Sequence, residues 1–130
     1  MKKVAVVTGG ARGIGLAITR TLLSRGYAVC VLGQREEARL SDDFLQLMEQ
    51  GEVLYFQGSI ADPQKRSTFA EEVFRRFGRV DVLVNNAGIA PRTRLDMLET
   101  TEESFDELLN VNLKGTMFMT QQFANRMLKQ

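Results

Sequence analysis

The sequence contains no histidine. A His-ligated metal site and a Ser-His-Asp triad both need an imidazole, so neither can form within these 130 residues. Cysteine is almost as scarce. The single Cys30 sits in an apolar run with no partner, which excludes an internal disulfide, fits a reducing compartment and reads as a small buried hydrophobe. Charge of one sign is lacking too: 17 Lys plus Arg face 16 Asp plus Glu, intermixed along the chain. No basic field is left to attract nucleic acid or an anionic membrane surface, and the expected partners are a cofactor and a small carbonyl or hydroxy substrate. Long hydrophobic runs are also missing. After Met1-Lys2-Lys3 the apolar run lasts only about five residues, too short for a signal sequence or a membrane span, so the expected location is cytoplasmic. There is no repeat, linker or low-complexity stretch.

What is present is enough for one modest domain. At 44% hydrophobic residues, a chain of this size buries very roughly two thirds of its unfolded surface. Val4 to Val7 is continuously apolar and partly β-branched, which suits a parallel strand buried on both faces. It ends at Thr8, and Gly9, Gly10, Gly13 and Gly15 follow. Ile14, Ala17, Ile18, Thr21 and Leu22 then recur at helical spacing until Gly26. Ala28 to Leu32 reads as a second strand. Ser41 caps a helix with face Phe44, Leu45 and Met48, ending at Gly51.

Val53 to Phe56 reads as a third strand. Asp62 before Pro63 opens a helix carrying Phe69, Val73, Phe74 and Phe77, stopped by Gly78. Val80 to Val84 is a fourth strand, broken by Asn85-Asn86-Ala87-Gly88. Thr100 with Glu103 has capping-box spacing and predicts a helix docked through Phe105, Leu108 and Leu109. A last helix is expected from near Asn112, with Phe118, Met119, Phe123 and Met127 on its apolar side.

The alternation predicts an α/β fold of Rossmann type: three layers, α/β/α, around a parallel sheet of about four strands in the order 3-2-1-4. An apolar fourth strand left at the edge would expose unpaired backbone, so more chain is expected beyond it and the sheet is read as incomplete.

Thr8-Gly9-Gly10-Ala11-Arg12-Gly13-Ile14-Gly15 places glycines at a tight turn and in the first turn of a helix. Gly9 permits the turn, Gly13 lets backbone approach a phosphate, and Gly15 lets the helix pack closely on the sheet. The free N–H groups of the helix start then face a pyrophosphate.

This spacing, with Asn85-Asn86-Ala87-Gly88 after the fourth strand and Asn112 in Val111-Asn112-Leu113-Lys114-Gly115, resembles the short-chain dehydrogenase/reductase family over essentially all 130 residues. The resemblance implies an NAD(P)-binding Rossmann domain over residues 1–130. Its dinucleotide loop would comprise Thr8, Gly9, Arg12, Gly13, Ile14 and Gly15. Asn86, Ala87 and Gly88 would line the adenosine and ribose side, with Ser59 and Ile60 near the adenine, while Asn112 would organise a proton-relay water as part of the catalytic apparatus. Taken by themselves, Asn85 and Asn86 also suit a strand end, and Asn112 a helix start.

The family completes its site with a serine after the fifth strand and a Tyr-x-x-x-Lys pair. In it the tyrosine moves the hydroxyl proton, helped by the lysine, while the cofactor carries the hydride. Neither element occurs here: four residues after Tyr27 stands Val31, and four after Tyr55 stands Ser59. The expectation is a chain that stops before its catalytic residues and is inactive by itself, within a homo-oligomeric full-length parent.

For the nicotinamide, NAD-binding relatives carry an acid at the end of the second strand, where it accepts from the adenosine 2'-hydroxyl. Here that position is Gly33, in Leu32-Gly33-Gln34-Arg35, and Arg12 and Arg35 are placed to meet a 2'-phosphate. NADPH is the expected cofactor, with NAD as the alternative should Glu36 or Glu37 fold back. Ser59 replaces the aspartate common in relatives and offers one hydroxyl to the adenine. Phe56-Gln57 after Tyr55, the NNAGIAPR stretch and the run from Leu95 to Gly115 look most like 3-oxoacyl-[acyl-carrier-protein] reductases and general keto-reductases. The implied chemistry is ketone to secondary-alcohol interconversion, and the competing reading is a non-catalytic nucleotide-binding or interaction protein. Finally, Glu52 to Gly58 resembles the site of a tag-removing potyviral protease. The alternation there reads as strand instead, and a folded strand should resist cleavage.

Overall fold

The computed structural model describes residues 1–130. Four strands form one parallel sheet: β1 (Val4–Thr8), β2 (Ala28–Gly33), β3 (Val53–Gln57) and β4 (Val82–Val84), in the order β3-β2-β1-β4. The register pairs Val6 with Cys30 and Leu83, and Cys30 with Leu54. Every residue of β1 is buried, as its unbroken apolar run requires of a central parallel strand covered on both faces.

Alternate residues feed two cores. Val4, Val6, Cys30 and Leu32 meet α3 (Pro63–Phe77) and α5 (Thr116–Met127) through Phe69, Val73, Met119 and Phe123. Val7, Val29, Val31 and Tyr55 face the other way, toward Leu22 and Leu23 of α1 (Gly13–Ser24) and Phe44 of α2 (Asp42–Gln50). These are the two helical layers of the expected sandwich. Caps follow the sequence signals where a side chain makes them. Ser41 accepts from the Phe44 N–H at 3.2 Å and Asp62 from the Gln64 N–H at 2.9 Å. Gly26 and Gly78 stop α1 and α3 at φ +85° and +74°.

Several expectations are corrected. Thr101, not Thr100, caps α4 (Glu102–Leu109), accepting from the Ser104 N–H at 3.1 Å; the Thr100 hydroxyl instead donates to the Asp96 carbonyl. Phe105 and Leu109 do not dock: they are 56% and 40% exposed. No separate helix begins near Asn112, because a π-helical segment, Asn110–Gly115, joins α4 to α5 without a break. In α2 the buried partner of Phe44 is Leu47 rather than Leu45, and in α1 Ile14, Ala17 and Thr21 face solvent while Gly15 and Thr19 are buried. Apolar spacing marked each helix correctly and placed Ile18, Leu22, Phe44 and Met48 against the core, but set the edge of the buried face wrongly.

Candidate functional site

A cleft of about 600 Å³ opens at the carboxyl ends of the strands. It is lined by Gly9, Ala11, Arg12, Gly13, Ile14 and Gly15 after β1, Leu32 to Arg35 at the end of β2, Tyr55, Gly58 and Ile60 from β3 onward, Asn86 to Ile89 after β4, and Val111. It straddles the point where the strand order reverses between β1 and β4, the place where doubly wound sheets receive ligands.

The glycines shape its floor. Gly9 turns the chain at φ +66°, and Gly13 sits at φ +57° with open space where a Cβ would point. A Cβ on Gly15 would fall 2.0 Å from the Gly9 carbonyl oxygen, so this glycine closes the loop onto its own helix. Close packing of helix on sheet, expected of Gly15, belongs to Gly10: a Cβ there would meet Thr19 Oγ1 at 2.8 Å and Val31 Cγ2 at 3.0 Å. No side chain caps α1, and its first turn carries no acid. Its leading N–H groups are left to a ligand, and an anion suits them. The residues therefore fit a dinucleotide pyrophosphate.

The segment after β4 is tied to this loop. Thr8 Oγ1 accepts from the backbone N–H groups of Asn86 and Ala87 at 3.1 and 3.0 Å, and Asn86 Nδ2 donates to the Thr8 and Gly9 carbonyls. Thr8 does not line the cleft; it positions residues that do. Asn112 is likewise outside the lining. Its Oδ1 accepts from the Ile89 N–H at 2.8 Å and its Nδ2 donates to the Ile89 carbonyl at 2.9 Å, pinning the strand-four turn to the π-helical segment. Ser59 also stays outside the lining, with its hydroxyl accepting from the Ala61 N–H at 3.1 Å; Gly58 and Ile60 are the residues of that turn that reach the cleft.

Sequence reasoning did not single out Tyr55 for the site. It is 7% exposed, with its ring edge-on to Phe44 at 5.6 Å, and its hydroxyl donates to the Arg35 carbonyl at 2.5 Å. Burial first, then the nearby Glu37 carboxylate, push its pKa above the ordinary phenol value, so at neutral pH it is a donor. The thiol of Cys30, buried within β2, is pushed up to about 12 by burial and is inert. No group of three or more Cys, Asp or Glu is placed to hold a metal.

A family model described as short chain dehydrogenase matches residues 3–130. The chain belongs to the short-chain dehydrogenase/reductase family. Among curated relatives, a diacetyl reductase [(S)-acetoin forming] of Staphylococcus epidermidis is 34% identical over the whole chain and 50% of its own length. A 3-oxoacyl-[acyl-carrier-protein] reductase of Staphylococcus aureus is 36% identical over the whole chain and 52% of its own length. The chain thus spans about half the length of the curated relatives it matches. Among solved structures, a 3-oxoacyl-[acyl-carrier protein] reductase from Brucella melitensis in complex with NAD superposes with a TM-score of 0.88 at 35% identity, covering 98% of this chain and 50% of that one. An actinorhodin polyketide ketoreductase with NADPH gives 0.89 at 32%, covering 98% and 49%. Members of the family similar to this chain are therefore seen with either nicotinamide. No helix is long and apolar enough to cross a membrane.

Proposed function

We propose that residues 1–130 form the dinucleotide-binding part of an NADPH-preferring oxidoreductase that interconverts a ketone and a secondary alcohol. One observation carries the cofactor preference: the cleft lining includes Arg12 and Arg35 and no carboxylate. Neither arginine is engaged in an ion pair. Two free guanidiniums with no acid between them favour a 2'-phosphate and offer nothing to accept a hydrogen bond from a 2'-hydroxyl.

The nicotinamide, when bound, supplies the hydride. The chain's own residues do the rest of the binding. The first-turn N–H groups of α1 hold the pyrophosphate, Gly13 gives it room, and Asn86 to Gly88 flank the ribose. Ile60 abuts the adenine, and Ser59 acts through the turn it closes. Asn112 is assigned the catalytic-side role of organising a proton-relay water, with its amide first holding Ile89 at the cleft mouth. The named activities of the diacetyl and 3-oxoacyl relatives support a small carbonyl substrate. An exposed apolar stripe, Phe105, Leu109, Leu113 and Met117, supports self-association in a homo-oligomer.

A second reading, a nucleotide-binding module without catalysis of its own, is favoured for the 130 residues taken alone, which contain no Tyr-x-x-x-Lys. Steady ketone reduction by this chain would overturn that reading. Titration with both cofactors tests the preference. NADPH should bind more tightly, and Arg35→Ala should cost it about 1–3 kcal/mol. Equal affinities that survive Arg35→Ala would defeat the proposal.

A further inference from the structure

The end of β2 is held in an unusual way. Three successive carbonyls are each taken by β3 or the residue after it: Gly33 O by the Gly58 N–H at 2.8 Å, Gln34 O by Gln57 Nε2 at 3.3 Å, and Arg35 O by the Tyr55 hydroxyl at 2.5 Å. The first of these continues the strand ladder, whereas the other two come from side chains and reach beyond it. The strap fixes the backbone that carries Arg35 at the cleft wall, while the Arg35 side chain remains exposed and unpaired.

The same tyrosine also occupies the space beside Gly33. A Cβ built there would lie 2.9 Å from Tyr55 Oη and 3.1 Å from Cε1. Tyr55 is buried and braced by Phe44, so its ring cannot swing aside at little cost. Any side chain at position 33, an acid included, would collide with it. With Tyr55 in place, position 33 has no room for an acid.

We infer that Tyr55 is a positioning and specificity-determining residue for the dinucleotide: its ring excludes an acidic side chain from position 33, and its hydroxyl holds the Arg35 backbone so that the guanidinium meets a 2'-phosphate. The inference rests on the NADPH reading above for the direction of the preference. The coupling between positions 33 and 55 stands on the geometry alone.

Two sets of variants test it, read by fluorescence titration of NADPH and NADH, with thermal melts to confirm folding. Tyr55→Phe keeps the ring and removes the donor. NADPH affinity should fall roughly 2- to 10-fold, the worth of one hydrogen bond, and fall more than NADH affinity. A merely structural tyrosine would weaken both alike, leaving the ratio unchanged, and that result overturns the positioning role. Gly33→Asp in the original chain should not tighten NADH. The same substitution combined with Tyr55→Ala, which empties the space, should tighten NADH and loosen NADPH. Equal effects of Gly33→Asp with and without Tyr55 overturn the exclusion role. If the original chain favours NADH, the NADPH reading falls while the coupling is still scored. If it binds neither nucleotide, both fall together.

Discussion

The side-chain amide of Asn86 donates to two consecutive carbonyl oxygens of the glycine loop, those of Thr8 and Gly9, each at 3.1 Å. One residue from the fourth strand's turn thereby satisfies the loop that follows the first strand, across the point where the sheet changes direction. The Asn-Asn-Ala-Gly motif acts here first as a brace for the dinucleotide loop.

Asn86→Ala should therefore cost about 1–3 kcal/mol, because two carbonyls lose their donor in a partly buried site. Dinucleotide affinity should drop with it. Urea unfolding and nucleotide titration read the two effects. Unchanged stability would show that water replaces the amide freely.

The loop glycines should differ sharply in what they tolerate. Gly15→Ala drives a Cβ to 2.0 Å from the Gly9 oxygen, and backbone must move, so a loss of about 3 kcal/mol or more is expected. Gly13→Ala meets no atom within 4 Å and suffers only its positive φ, about 1–2 kcal/mol. Its main effect should be on nucleotide affinity. Comparing denaturation midpoints and affinities of the two variants checks this order.

Acid should weaken the fold through Asp81. Its carboxylate accepts from Arg79 and, at 2.8 Å, from the Val4 backbone N–H, and these hold its pKa below the ordinary carboxylate value, Arg79 having the larger influence. As pH falls from about 4, the usual carboxylate range, the unfolded chain takes up the proton first, so stability is present above that range and is lost as pH falls through the lower folded value. Urea midpoints between pH 7 and pH 3 should decline less steeply for Asp81→Asn than for the original chain.

Self-association should depend on the exposed stripe of α4 and the π-helical segment. Phe105→Arg combined with Leu113→Arg, at positions 56% and 63% exposed, should shift sedimentation toward monomer with little change in the melting temperature. Identical sedimentation of the two proteins would place the interface elsewhere.

The sheet and its order were legible because each signal is local and strong. β1 is one unbroken apolar run, Ser41 and Asp62 are caps with a mechanism, and Gly26 and Gly78 sit where only a left-handed residue ends a helix. The glycine loop was legible for the same reason, although close packing falls to Gly10 and not to Gly15. What escaped the sequence depends on partners far along the chain. Nothing at Tyr55 announces that its hydroxyl reaches Arg35, and nothing at Gly33 announces that Tyr55 fills its side-chain space. Apolar spacing at Phe105 and Leu109 marks an amphipathic helix without saying whether this chain covers it. Thr100 and Thr101 both offer a capping hydroxyl, and the choice between them is made by the turn at Met97–Glu99, whose Asp96 carbonyl takes the Thr100 hydroxyl.

The wide turn at Asn110–Gly115 takes up one residue that the packing of the helix on either side does not need. A π turn holds one residue more than the α-helix can accommodate, and removing any single residue there would let the helix regularise. Everything after it would then keep nearly its present phase relative to α4, because the wide turn spreads one extra residue over about the same rotation that an α-helix covers without it. Met119 and Phe123 would stay in the core, whereas the turn that carries Asn112 would be rebuilt and its grip on Ile89 lost. A one-codon deletion in this segment should therefore spare the packing of α5 and strike the contact to Ile89, so the extra residue serves the cleft mouth and not the core.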